Sequence, residues 1–302
     1  MADVAELESR FGIPGVLGFE TTGSGLVAVK VTAPAAEATI YLHGAHVTHW
    51  KPAGEARAIF MSQRAEFAPG KAIRGGVPIC FPWFGERGEG KPGPMHGFAR
   101  ISEWELEFAA MAGDEVHLAF TLAPNELSRS LGFDDFKVGY RVSVGRRLTL
   151  ELTVANESSA PLVFEEALHT YYAVADARKV EIEGLSGTEY IDKVDGGKRK
   201  VQALGPLTFR GRTDRPYLNT EAACVLEDPA GGRKIVVAKS GSRSTVVWNP
   251  WEELTAKMAD MEPDAWLHMT CVETANVGED AVTLAAGATH TMRADVSTEA
   301  LG

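Results

Sequence analysis

Cysteine is scarce in this chain of 302 residues: Cys80, Cys224 and Cys271 are the only three, and their spacing forms no CxxC-type pair. A sparse, odd count of this kind reads as reduced thiols in a cytoplasmic protein. Long apolar runs are missing too, with nothing near the ~20 residues a membrane span needs. The opening MADVAELESRFGIPG carries acids where a secretion signal would have a basic start and an apolar core. Positive charge is also short: 30 lysines and arginines face 41 aspartates and glutamates, a net charge of −11. A field of that sign repels nucleic acid and anionic membrane. An anionic small molecule would therefore have to be met by a local group of arginines.

What is present is short, alternating segments. LVAVKVT, EWELEF, EVHLAFTL, FKVGYRVSV, RLTLELTVAN, AACVLED, KIVVAKS, STVVW and ATHTMRADV recur between Gly, Pro, Asn and Asp turns, the signature of antiparallel strands with one face buried. Length alone would allow two domains. Composition nowhere shifts, and no repeat or low-complexity linker appears, so residues 1–302 are read as one large all-β antiparallel sandwich whose core needs no staples. One stretch departs from this. In NPWEELTAKMADM, Asn249 as N-cap, Pro250 at the first helical position and Glu252 three past the cap predict a short helix near 250–261.

Several segments carry chemistry. HGAHVTHW spaces His43, His46 and His49 three apart, but Gly44, Val47 and Thr48 favour a turn into a strand. A step of three changes face on a strand, leaving at most His43 and His49 on one side, and no metal site is expected. IRGGVPICFPWFG offers two glycines for close backbone approach to a ligand, flat faces at Trp83 and Phe84, and Arg74 as a forked donor. It reads equally well as a surface loop with its aromatics in the core. PMHGFAR adds His96 and Arg100.

In WLHMTCVETAN, strand register puts Leu267, Met269, Cys271 and Glu273 on one face. A carboxylate ending an apolar row is either paired and functional or has reached the strand end and points to water. EEALHTYY sets Glu165, Ala167, His169 and Tyr171 on one side and Leu168, Thr170 and Tyr172 on the other. His169 is then either a structural histidine or a general acid.

Taken together and in this order, HVTHWKP, IRGGVPICFPWFG, HGFARISEW, ALHTYY, YIDK, VVWNPW and CVE resemble the signature stretches of D-hexose-6-phosphate mutarotases, the glucose-6-phosphate 1-epimerases of the aldose 1-epimerase superfamily. The resemblance implies a galactose mutarotase-like sandwich and no cofactor. It also implies a catalytic pair, His169 and Glu273, with Arg74 and Arg100 holding substrate and Asp192 in YIDK assisting. His96 and Trp83 complete the expected substrate-binding set. Met95 stands where the family often has a polar or small residue.

The implied reaction exchanges the α and β anomers of a hexose 6-phosphate, glucose 6-phosphate first among them. Glu273 takes the C1 hydroxyl proton, protonated His169 supplies the ring oxygen, and the roles reverse on closure. Two alternatives stand beside it: a non-catalytic carbohydrate-binding sandwich, and an epimerase of unphosphorylated aldoses, which would leave two arginines little to neutralise. A glycoside hydrolase needs a pair of carboxylates, and only Glu273 is placed by a motif. The expected partner is a small sugar phosphate, met by a cytoplasmic monomer.

Overall fold

The computed structural model describes residues 3–301. Alternation in the sequence becomes alternation of burial. Phe136–Val144 pairs antiparallel with Arg147–Asn156, setting Tyr140 opposite Leu152. Both side chains are fully buried, while Lys137 and Arg141 between them face out. These strands are central to a nine-stranded sheet. It runs from Leu207–Thr208 through Glu181–Glu183, Cys224–Asp228, Arg233–Ser240, Thr289–Ala300, Arg147–Asn156, Phe136–Val144 and Glu115–Leu122 to Glu105–Ala112.

An eight-stranded sheet packs against it. Its order is Lys198–Val201, Glu189–Asp192, Thr213–Tyr217, Ser244–Asn249, Met269–Asn276, Glu166–Leu168 and Ile79–Cys80, with Tyr171–Ala173 also pairing to Met269–Asn276. Leu168, Tyr172, Val247 and Val272 from this sheet share one apolar cluster with Leu118, Phe120, Tyr140 and Leu152 from the other, the interior of a β-sandwich. Each large apolar side chain enclosed there contributes roughly 1.5–3 kcal/mol. A four-stranded N-terminal sheet, Leu17–Thr21, Val27–Thr32, Ala36–Tyr41 and His46–Pro52, adds Val29, Ile40 and Trp50 to the same cluster.

Three helical features differ from the sequence reading, one of them the single turn Glu126–Ser130, capped by Asn125. Val4–Phe11 is a helix, capped by Asp3, whose carboxylate accepts from the Ala5 N–H. Leu7 is its one buried residue, so its apolar signal was too thin to read. The helix expected near 250–261 is confined to Trp251–Thr255. Asn249 closes the preceding strand, and its side chain accepts from the Trp251 N–H while donating to the Trp266 and Met269 carbonyls. The amide is spent joining three segments and caps no longer helix. Among the described residues, no helix is long and apolar enough to cross a membrane.

The strand Met269–Asn276 is buried along its whole length, yet its two sides differ. Val272 points into the sandwich, whereas Met269, Cys271 and Ala275 belong to separate clusters on the other side of the sheet. The expected one-sided row therefore holds from Met269 onward. Leu267 drops out of it, because Ala265–Leu267 forms a 3-10 turn before the strand begins.

Candidate active site

His169 and Glu273 meet on the outer side of the eight-stranded sheet. The strand around His169 is interrupted: Glu166–Leu168 and Tyr171–Ala173 are separate, and the His169 N–H donates to the Pro78 carbonyl. Register nonetheless carries through, since Leu168 lies opposite Thr274 and Tyr171 opposite Cys271. His169 is thereby set against Glu273. The two-sided split read from the sequence survives the break, with Leu168 and Tyr172 in the sandwich core and Ala167 and Tyr171 in the clusters on the other side.

His169 Nδ1 lies 3.5 Å from Glu273 Oε1, and the side chains are 8% and 1% exposed. The imidazole stacks on Tyr171, ring centroids 4.9 Å apart at 10°. The Glu273 that the sequence left between a strand end and a functional position is thus enclosed, with Val246 beside it across the sheet.

Two loops bring arginines to this pair. Arg74 Nε donates to Asp260 Oδ2 at 2.9 Å and Nη1 to the Tyr171 hydroxyl at 3.0 Å, which links the guanidinium to the ring lying on His169. Arg100 Nη2 donates to the Met95 carbonyl at 2.7 Å, so Met95 serves the site through its backbone while its side chain is exposed.

The turn at His43–His46 positions both loops. His43 Nε2 meets the Lys71 carbonyl at 2.7 Å and His46 Nε2 the Gly75 carbonyl at 2.8 Å. Gly44, at φ +75°, lies so close to the Arg100 backbone that a Cβ there would sit 2.7 Å from its carbonyl oxygen. Of the three histidines, His43 and His46 act together on these loops, and His49 lies 4.0 Å from Glu37. The role expected of Gly76 is corrected. It lets backbone approach protein and not ligand, since its Cβ would fall 2.3 Å from His46 Nε2.

His96 sits at φ +63° with its ring 5.4 Å from that of His169, edge to face. Its Nδ1 accepts from the Gly85 N–H at 3.1 Å, which leaves Nε2 to carry the proton. Trp83, expected against the sugar, is buried against Phe98 and Phe133, with its indole N–H bonded to the Pro94 carbonyl. Its neighbour Phe84 takes the place by the cluster, 4.7 Å from His96 and 6.3 Å from His169. Glu165 fixes Phe84 there by accepting from its N–H and from that of Gly278.

Asp192 is occupied otherwise than expected. It caps a 3-10 turn through the Val194 and Asp195 N–H groups and pairs with Lys200 at 2.8 Å. The turn it stabilises carries Lys193, whose Nζ stands 4.9 Å over the Phe84 ring. A carboxylate the sequence did not flag, Asp214, lies opposite Trp248, itself opposite Cys271 on the cluster side of the sheet. Glu273 is therefore not the only acid here.

Burial sets the protonation of the pair. It pushes the His169 imidazole down to about 3, assisted by the charges of Arg100 and Arg74. It pushes the Glu273 carboxyl well above its usual range, assisted by Asp214. Both shifts favour the uncharged forms, imidazole on His169 and carboxylic acid on Glu273. His169 Nδ1, both Glu273 oxygens and Arg100 Nε are buried without a hydrogen-bond partner. Unpaired buried polar atoms are costly, and these four are donors and acceptors that a polar ligand would satisfy. Cys271 is the third donor within 4.8 Å of the pair, but burial holds its thiol far above the range in which it would be a thiolate ligand. The arrangement can exchange protons with a ligand and hold an anion beside it.

A family model described as aldose 1-epimerase matches residues 28–297. The chain is 39% identical over 251 residues, 83% of either sequence, to an Escherichia coli (strain K12) protein named "Putative glucose-6-phosphate 1-epimerase". A solved structure from Salmonella typhimurium, described as a "putative mutarotase", superposes with a TM-score of 0.89 at 33% identity over 96% of each chain. A galactose mutarotase-like protein from Clostridium acetobutylicum shares the fold, with a TM-score of 0.68 at 14% identity over 94% of this chain and 98% of that one.

Proposed function

The chain belongs to the aldose 1-epimerase family, and from that premise we propose that it interconverts the α and β anomers of hexose 6-phosphates, glucose 6-phosphate first among them. The observation that carries the reading is the convergence of an unpaired acid and base, His169 and Glu273, with the arginines Arg74 and Arg100. Anomer exchange needs one group to take the C1 hydroxyl proton and another to give one to the ring oxygen. Glu273 takes the first and His169 gives the second. The ring opens, the C1–C2 bond rotates, and reversal of both transfers closes the other face. A positioned acid or base typically contributes ~10² to 10⁴-fold, enough for a reaction that water already supports slowly.

Arg74 and Arg100 hold the phosphate and so fix the ring oxygen at His169. His96, Phe84 and Lys193 border the sugar, and Asp192 acts by shaping the turn that presents Lys193. Asp214 supplies a second carboxylate, but its place in the site serves to keep the Glu273 proton in the free protein. Catalysis uses no cofactor in this reading. The unit is the whole chain, a monomer whose site is complete in itself, and three buried free thiols suit the cytoplasm.

Replacing Arg74 by alanine tests the phosphate assignment. The expected result is a loss in kcat/KM of at least ~10-fold, the equivalent of one lost charge-assisted bond, for glucose 6-phosphate and little change for glucose. Equal losses on both sugars would leave Arg74 a loop brace and return the chain to the epimerases of neutral aldoses.

A further inference from the structure

His169 and Glu273 share one proton, and the groups around them decide which of the two holds it. On the imidazole side stand Arg100, Arg74 and Lys193, with the neutral rings of His96, Tyr171, Phe84 and Trp248 packed about it. Arg74 acts at close range, since the Tyr171 hydroxyl accepts its proton at 3.0 Å and the Tyr171 ring lies parallel to the imidazole. On the carboxyl side stands Asp214, beside the thiol of Cys271. Burial favours the neutral form of each group, and Arg100 and Lys193 act on both, disfavouring the Glu273 proton as well. The asymmetry lies in Arg74, which acts on the imidazole although Asp260 accepts from its Nε at 2.9 Å, and in Asp214, which acts on the carboxyl. These two drive the proton onto Glu273. A neutral imidazole donates a hydrogen bond from Nε2–H but is not an acid near pH 7; the imidazolium is. The free protein therefore stores its proton on the wrong partner for ring opening.

We propose that a dianion of the phosphate class, held by Arg74 and Arg100, moves the shared proton from Glu273 to His169 and so switches on anomer exchange of hexoses that carry no phosphate. The proposal rests on the acid–base and phosphate roles given above and adds that the phosphate arms the chemistry besides anchoring the substrate. Arg100 Nε, buried and unpaired, is a donor the anion satisfies, and Arg74 is the other.

The dianion cancels the positive charge that disfavours imidazolium. The Glu273 proton then crosses the 3.5 Å gap from Oε1 to Nδ1, leaving carboxylate and imidazolium with the net charge of the pair unchanged. Ring opening consumes this state, because the imidazolium Nε2 proton goes to the ring oxygen while a carboxylate oxygen takes the O1 proton. Ring closure regenerates it. A phosphosugar brings the dianion with it; a neutral hexose needs it supplied.

The test combines free glucose with phosphite dianion in the presence of the intact protein, reading anomeric exchange by NMR against protein-free samples at the same phosphite concentration. Each pKa unit gained by His169 raises a sparse armed population about tenfold, so protein-dependent glucose exchange is expected to rise at least about tenfold at saturating phosphite. The His169 ring nitrogens should move from a neutral to an imidazolium ¹⁵N pattern over the same titration. Phosphite that competes with glucose 6-phosphate yet changes neither signal would overturn this inference and leave the proposed function standing. Phosphite that fails to compete would overturn the phosphate site itself and the inference with it.

Discussion

A carboxylic acid walled by Val246 and lying opposite a neutral imidazole keeps its proton until a polar ligand arrives, and Glu273 is in that position. Glu273→Gln retains the shape and one hydrogen-bond acceptor but cannot take a proton. Its kcat for glucose 6-phosphate should fall by ~10² to 10⁴-fold with an unchanged melting temperature. Near wild-type turnover in a folded variant would remove the base assignment.

At this scale the sequence was legible where register decides and illegible where neighbours decide. His169 and Glu273 could each be put on one face of its strand by counting in twos, and the structure brings those two faces together on the same side of the sheet. Trp83 and Phe84 are adjacent aromatics, and only the packing of Phe98 and Phe133 around the indole determines that Phe84 faces the cluster. Asp192 and Asp214 differ in the same way: the first is consumed by a local turn and Lys200, and the second reaches the cluster through pairing across two strands. No one-dimensional signal separates either pair.

Among the elements, the turn at His43–His46 bears on the site although its residues touch no substrate in this account. His46→Leu removes the donor to the Gly75 carbonyl and leaves that carbonyl buried and unpaired. A cost of about 1–3 kcal/mol is expected, measurable by urea unfolding. Because the loop it anchors carries Arg74, KM for glucose 6-phosphate should rise while kcat changes little. A fall in kcat with constant KM would show the turn acting on the acid–base pair and not on the arginine. The sequence reading weighed these histidines as metal ligands or strand residues, because spacing alone cannot show that two side chains reach carbonyls roughly thirty positions downstream.

The strands themselves were the most legible elements. Glu115–Leu122, Phe136–Val144 and Arg147–Asn156 begin and end where their alternation does. Helices were the least: Val4–Phe11 and Trp251–Thr255 are too short for periodicity to outweigh local capping chemistry.

For the molecule as a whole, stability should depend on buried histidines. Burial lowers His46 to about 3, His169 to about 3, and His96 below its ordinary value. Each binds a proton in the unfolded chain below about pH 6.5 and stays neutral in the fold. The unfolded state therefore takes up more protons as pH falls, and stability drops with it. It is fully present above about pH 6.5 and lost progressively toward pH 3. His290, raised by its pairing with Glu166, opposes this trend, and so do the carboxyls of Glu273, Glu166, Asp214 and Glu103, which burial raises, so the histidine share is read by difference against a variant. Thermal melts between pH 7.5 and 4 should show wild type losing more of its midpoint toward the acid end than His46→Leu does. An identical pH dependence in the two proteins would contradict the neutral state assigned to His46.

The measurement closest to the central claim is exchange NMR on the anomeric protons of glucose 6-phosphate with catalytic protein, run beside glucose and galactose in phosphate-free buffer. The account predicts accelerated α–β exchange for the phosphosugar and near-background rates for both neutral sugars. Equal acceleration of all three would contradict the phosphate role of Arg74 and Arg100, and line broadening without exchange would make the sandwich a sugar-binding protein.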